Sequence, residues 1–148
     1  MSYQIYFAKY QNGMPIEFPS APLRAVLEQF GVREFGTPVY EELPNGQSVD
    51  FSTERLIEPL TDGFSIEFRS VSAELCELIY RACLASDLVA VCVDNPYLPL
   101  ATSPDAGKQL PLETGEYCDP VICNSAEDVA KALILGFDRW SNWAFGDK

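Results

Sequence analysis

Histidine is absent from the 148 residues of this sequence. An imidazole is the general base of Ser-His-Asp and Cys-His sites and a ligand of many zinc sites, so all of these sites are excluded. The nine glycines are scattered, and neither G-x-x-x-x-G-K-[ST] nor G-x-G-x-x-G occurs. We therefore expect no phosphate-binding loop and no bound nucleotide.

Basic residues are scarce. Ten Lys and Arg stand against 22 Asp and Glu, which gives a net charge of −12. Such a charge repels the phosphates of nucleic acids and of anionic lipids, whereas it attracts a basic protein and accelerates its association. We therefore expect a basic protein partner, no nucleic acid and no membrane, and the sequence leaves a homodimer open.

Cysteine pairs with the spacing of a redox or zinc site are also missing. The five cysteines are an odd number, and Cys76, Cys83 and Cys92 fall in strongly apolar segments, which favours buried free thiols over a disulfide framework. Cys118 and Cys123 are spaced C-x4-C without a second such pair, so the sequence offers no four-ligand zinc site. We expect no metal, no cofactor and no catalytic residue.

Targeting signals are missing as well. The first residues, MSYQIYFAKY, have neither the basic start nor the unbroken apolar stretch of a signal peptide. No run approaches the roughly 18 apolar residues of a membrane span. These features predict a cytoplasmic protein.

We expect a single domain over residues 1–148. The pattern of apolar residues predicts its strands. Alternating apolar residues predict strands at 3–7 and 64–68. The continuous apolar run at 88–93 is typical of a strand covered on both faces. Pro44-Asn45-Gly46 separates two further strands, residues 38–43 and 47–52, which we expect to form a hairpin.

Helices are predicted between these strands. One begins at a capping Ser20 with Leu23 and Leu27 on its apolar stripe, and another begins at Ser72. The order strand, helix, hairpin, strand, helix, strand is close to the ferredoxin-like arrangement. We expect an α+β fold with a mixed or antiparallel sheet, helices packed on one face, a ferredoxin-like core with an added hairpin, and a C-terminal helix. That helix begins at Ser125, after a short edge strand at residues 120–123, and carries Val129, Leu133, Phe137 and Trp140 on one apolar stripe.

Residues 94–119 form a long loop in this interpretation, rich in turn residues and acids. Between Arg81 and Lys131 the sequence has eight carboxylates and one basic residue, Lys108. An acidic surface with aromatic and aliphatic anchors is typical of a protein that binds a basic partner. The residues that we predict to bind the partner are Asp94, Tyr97, Asp105, Glu113, Glu116, Tyr117 and Asp119.

Two other interpretations of the same residues stay open. The apolar side chains of the segment, Leu98, Leu100, Leu110 and Leu112 among them, can hold a loop to the core rather than anchor a partner. The carboxylates, with Asp94 at the end of a strand, can act as a general acid or base. The charge pattern favours binding over catalysis and leaves the first alternative open.

The opening MSYQIYFAKY runs directly into a Tyr- and Phe-rich strand on a small acidic α+β chain. In these ten residues and in overall character, the chain resembles bacterial immunity proteins against antibacterial effectors of contact-dependent or type VI systems. The resemblance implies an inhibitor that occludes a cognate toxin. It assigns no residue role, because the binding surface of such proteins varies freely.

We therefore expect a non-enzymatic acidic binding protein. The alternatives are a small-molecule-binding or regulatory α+β module and, behind it, a carboxylate-dependent enzyme.

Overall fold

The computed structural model describes residues 3–36, 39–93 and 97–134, with the backbone alone for residues 39 and 40. The strands of this part are β1 (Tyr3–Gln11), β2 (Met14–Ile16), β3 (Phe18–Pro19), β4 (Val39–Glu42), β5 (Ser48–Ser52), β6 (Leu60–Thr61), β7 (Phe64–Phe68), β8 (Val89–Cys92), β9 (Leu98–Ala101) and β10 (Val121–Ile122). The helices are α1 (Ala21–Gln29), α2 (Ala73–Ser86), α3 (Pro104–Lys108) and α4 (residues 126–134).

Most of the strands form one sheet in the order β10-β9-β8-β1-β7-β5-β4, and β2 pairs with the end of β1. Neighbouring strands run antiparallel except β9 and β10, which are parallel. β3 and β6 form a separate two-stranded sheet. The fold is therefore α+β with a mixed sheet, as predicted.

The connectivity of the central strands confirms the ferredoxin-like core. β8, β1, β7 and β5 are neighbours in this order, with α1 between β1 and β5 in the chain and α2 between β7 and β8. This is the β-α-β-β-α-β arrangement. β4 adds the predicted hairpin strand at one edge, and β9 and β10 extend the other edge.

Helices α1, α2 and α4 cover one face of the sheet. Ile5 and Phe7 of β1 and Ile66 of β7 belong to this layer and are at most 1% exposed. Phe7 stacks on Phe64 with the ring centroids 4.4 Å apart. The helices contribute their apolar stripes, with Leu23, Leu27, Leu75, Leu78, Ile79, Ala82, Val129 and Leu133. This layer is the main core.

Strand β8 is covered on both faces, as its continuous apolar run predicts. Ala90 and Cys92 belong to the main core, whereas Val89 and Val91 belong to a smaller cluster on the opposite face. The other buried members of the smaller cluster come from β9 and the chain after it, and they are Ala101, Ala106 and Leu110. The second face of β8 is therefore buried by chain that follows it.

Serine caps begin two of the helices as predicted. Ser72 Oγ accepts a hydrogen bond from the amide of Leu75 at 3.1 Å. Ser125 Oγ accepts one from the amide of Asp128 at 3.2 Å. Each bond satisfies an amide that the helix itself leaves without a partner, which is why serine at these positions marks a helix start.

The prediction that Ser20 caps α1 was wrong. Ser20 stands before the first turn, but its side chain makes no capping hydrogen bond. Its hydroxyl instead donates to the carbonyl of Glu58 and accepts from the Arg24 guanidinium at 2.7 Å. Arg24 also donates to the carbonyl of Leu56 at 2.6 Å. The pair therefore ties α1 to the chain before β6.

The C-terminal helix is described as far as residue 134. Val129 and Leu133 are 1% and 3% exposed, in agreement with the predicted apolar stripe. Phe137 and Trp140, which the pattern places on the same stripe, lie outside the described residues. Within the described ranges, no helix has both the length and the apolar character that crossing a membrane requires.

The five cysteines, all within the described ranges, form no disulfide bond, and Cys76, Cys83, Cys92 and Cys123 are buried in the main core. The predicted burial of the first three is thereby confirmed. Burial raises the pKa of Cys76 and that of Cys123 to about 11, and it also raises the pKa of Cys83. Because the thiolate is the reactive form of cysteine, these thiols are inert at neutral pH.

We expect the free energy of unfolding to fall as the pH rises from about 9 towards about 11. In this interval an unfolded thiol has lost the proton that the folded Cys76 thiol still holds, so alkaline pH favours the unfolded state by about 1 kcal/mol per pH unit and group. Urea denaturation near pH 7 and near pH 10 measures the loss. Cys76→Ala should show a smaller loss than the parent, and an equal loss would contradict the assignment.

We expect Gly63→Ala to cost about 3–5 kcal/mol of stability, because the change forces the backbone of two central strands to move. Gly63 has φ +134°, and a Cβ there would lie 2.0 Å from the carbonyl oxygen of Phe7. Gly46→Ala is the control, since Gly46 has φ +86° with nothing within 4 Å of an added Cβ. It should cost only the conformational penalty of about 1 kcal/mol. If urea denaturation shows the same loss of stability for both variants, the predicted clash with the carbonyl of Phe7 is wrong.

Candidate functional site

Residues 102–120, which we call the crossover segment, connect β9 to the parallel strand β10. The prediction of a long loop over residues 94–119 was wrong, because strand β9 and helix α3 lie within that range. The Ser103 hydroxyl accepts a hydrogen bond from the amide of Ala106 at 3.2 Å, and Pro104 occupies the first turn. Ala106 and Leu110, four positions apart, enter the smaller cluster. The inner side of the segment thus covers β8 and β9.

Hydrogen bonds hold the crossover segment at two places. At the β1–β2 turn, the Gly13 amide donates to the carbonyl of Gln109 at 2.7 Å. Near the end of the segment, the Tyr97 amide donates to the carbonyl of Glu116 at 2.9 Å, and the Cys118 amide donates to the carbonyl of Tyr97 at 2.7 Å. The outer surface of the segment is therefore presented on a fixed backbone.

Tyr97 and Tyr117, two of the predicted partner-binding residues, pack against each other. Their ring centroids are 5.3 Å apart and the ring planes are inclined by 56°. Both side chains are half-buried and contact the smaller cluster, as does Tyr10. Burial raises the pKa of Tyr10, and the neighbouring Tyr117 raises it further. The two rings therefore fix the segment to the sheet and leave only part of their surface for a partner.

The predicted acids of this segment are exposed. They are Asp105 in the first turn of α3, Glu113 in a 3-10 turn, and Glu116 and Asp119 in the chain after it. Among the described residues, their carboxylates form no hydrogen bond or ion pair. Asp94, the remaining predicted residue, lies outside the described ranges.

The leucines considered as partner anchors divide into two groups. Leu98, Leu100 and Leu110 are 7%, 1% and 3% exposed. The anchoring hypothesis is wrong for these three, because they hold the chain to the protein's own core. Leu112 is 36% exposed. It is the leucine of this set that a partner can contact.

A groove of about 190 Å³ opens between α3 and β10. It is lined by Pro104, Gly107, Lys108, Leu112, Pro120 and Ile122. Three of the exposed acids are the chain neighbours of lining residues, in the pairs Pro104–Asp105, Leu112–Glu113 and Asp119–Pro120. The crossover segment therefore sets carboxylates beside an apolar groove.

Sequence reasoning missed this groove because its two walls are far apart in the chain. One wall is α3, whereas the other consists of Pro120 and Ile122 at the start of β10. The edge strand at 121–122 was predicted, and it is confirmed by its pairing with β9. For the wall formed by α3, the sequence does contain a signal. Ser103-Pro104 is a capping serine followed by a proline suited to the first position of a helix.

The outer surface of the crossover segment combines four exposed acids with an apolar groove. Among the residues that the structure describes, no three His, Cys, Asp or Glu side chains are arranged to hold a metal ion. No protein-family model, curated protein or solved structure matches this chain.

We expect Tyr117→Ala to loosen the crossover segment and to cost about 2 kcal/mol, because a half-buried ring and its contact with Tyr97 are lost. Tyr117→Phe keeps the ring and should cost no more than about 1 kcal/mol. Amide hydrogen exchange at Tyr97 and Cys118 measures the loosening directly, since these amides close the segment. The same exchange rates in both variants would show that the ring does not hold it.

Proposed function

We propose that this chain is a non-enzymatic acidic binding protein, an immunity protein that neutralises a cognate bacterial toxin by occluding the toxin's active or binding site. The toxin in this proposal is a basic protein of a type VI or contact-dependent system. The immunity protein meets it in the bacterial cytoplasm through the crossover segment.

One observation carries the proposal. Asp105, Glu113, Glu116 and Asp119 are exposed, and within the described part of the chain their carboxylates have no partner. Basic residues of a second protein can therefore pair with them without first displacing an internal cation. Surface acids contribute little to folding, so a concentration of them on one segment is better accounted for by binding than by stability.

The net charge of −12 supports a basic partner. At physiological ionic strength the field of exposed charges extends over a screening length of about 8 Å. Within that range the carboxylates attract a positively charged surface and orient it before contact. Charge of this kind acts mainly on the rate of association.

The fixed backbone of the crossover segment supports tight occlusion. The Gly13–Gln109 hydrogen bond ties its middle and the Tyr97–Cys118 hydrogen bond ties its end, so its conformation is set before a partner arrives. A surface that is already ordered loses little conformational entropy on binding. A small loss of conformational entropy strengthens binding, as an inhibitor that must stay bound requires.

We expect the combined change Asp105→Asn, Glu113→Gln, Glu116→Gln and Asp119→Asn to slow association with the toxin by roughly tenfold at low salt and to flatten its salt dependence. The assay is a kinetic binding measurement at two ionic strengths with the product of the gene next to this one, since toxin and immunity genes are expected side by side. Thermal melting should be nearly unchanged.

The matched control changes four exposed acids outside the crossover segment, Glu28→Gln, Glu34→Gln, Glu54→Gln and Glu58→Gln. Both sets alter the net charge equally, so a difference between them reports position rather than total charge. If the control set slows association as much as the first set, or neither has an effect, the crossover segment is not the binding surface.

A further inference from the structure

The groove between α3 and β10 has the size of one side chain. Its volume of about 190 Å³ is below the roughly 300–1,000 Å³ of pockets that bind small molecules. A single leucine, methionine or phenylalanine side chain fits a space of this size. Such small apolar recesses are where the energetically dominant side chains of a protein partner insert.

The floor of the groove depends on a residue without a side chain. A Cβ added at Gly107 would lie 3.0 Å from Pro120 Cβ and 3.2 Å from its Cγ, and 3.7 Å from Ile122 Cδ1. These atoms belong to the opposite wall. The two walls therefore approach each other closely at Gly107, and a methyl group at this position requires Pro120 to shift by a few tenths of an ångström.

The charges around the groove distinguish its centre from its rim. Asp105, Glu113 and Asp119 adjoin the lining residues, and all three are exposed. Lys108 is the one cation among the lining residues, and its aliphatic stem can cover apolar surface while its ammonium group stays in water. An apolar side chain is therefore favoured in the centre, whereas positive charges are favoured at the flanks.

We infer that this groove receives one large aliphatic or aromatic side chain of the basic partner, and that Lys or Arg residues on either side of it in the partner's chain meet Asp105, Glu113 and Asp119. The inference rests on the proposed function for the existence of a basic protein partner. It adds the chemistry of the segment that the partner inserts: an apolar residue between basic residues.

The experiment uses short blocked peptides rather than the natural partner. Each has two Lys or Arg residues on both sides of a central residue, which is Leu in one peptide and Gly in another. A third peptide has the central Leu between serines. Each is titrated into the isotopically labelled full chain. NMR follows the amide signals of Ala106, Gly107 and Ile122 and the methyl signals of Ala106 and Ile122.

We expect the Leu peptide with basic flanks to bind roughly tenfold more tightly than either of the other peptides, with its largest shifts at the groove. Gly107→Ala, which displaces the Pro120 wall of the groove, and Leu112→Ser, which removes part of its lining, should each abolish the advantage of Leu over Gly. Leu84→Ser is the matched control, because Leu84 is an exposed leucine on α2. It should leave the advantage unchanged, and melting curves verify that all three variants fold.

Several outcomes overturn the inference. Equal affinities of the Leu and Gly peptides, or no shift at the groove, would show that no side chain inserts there. Equal affinities of the basic and serine-flanked Leu peptides would make it a site for apolar ligands in general. If the protein forms dimers as its concentration rises and Leu112→Ser prevents them, the groove binds a second copy of this chain instead. Because the peptides replace the natural partner, these failures are distinct from failure of the kinetic assay with the adjacent gene's product.

Discussion

The burial of β8 on both faces is the constraint on which the rest of this structure depends. Val89 and Val91 lie on the face that the long helices leave open, and each buried valine contributes about 1.5–3 kcal/mol only if water is excluded from that face. The ferredoxin-like core covers one side of its sheet. The chain after β8 therefore has to form a second layer, and the crossover segment is that layer.

A segment recruited to cover a strand has an inner and an outer side, and its residues divide accordingly. Ala106 and Leu110 are buried, whereas Asp105 and Glu113 are exposed. The inner residues pack in the core, and the outer residues face solvent. The same anchoring that completes the fold thus produces a rigid acidic surface, which a loop attached only at its ends would not provide.

In the proposed complex with a basic partner, the acids and the groove contribute to binding in different ways. Exposed carboxylates act at a distance and are weakened by salt, so they govern how fast a basic partner arrives and in which orientation. An apolar side chain in the groove is desolvated only on contact, so it governs how slowly the partner leaves. A protein that must arrest a toxin soon after meeting it requires both effects.

Local patterns of sequence determined much of this fold. The alternation in residues 64–68, the continuous run at 88–93 and the capping serine at Ser72 each depend on neighbours within a few positions, and all three were predicted correctly. The order of these elements was sufficient for the ferredoxin-like core. The negative charge and its concentration after residue 87 are likewise properties of the chain alone.

Only the tertiary structure decided which side chains of the crossover segment face outward. Pro99 within β9 argues against a strand, and the five residues of α3 are too few for a helical repeat to be recognised. The groove combines Gly107 with Pro120 and Ile122, which meet only because β10 pairs with β9. For a similar reason, the Ser20 hydroxyl bonds the chain before β6 and the Arg24 side chain instead of capping an amide of α1. Contacts between distant positions depend on the path of the whole chain, and no local spacing encodes that path.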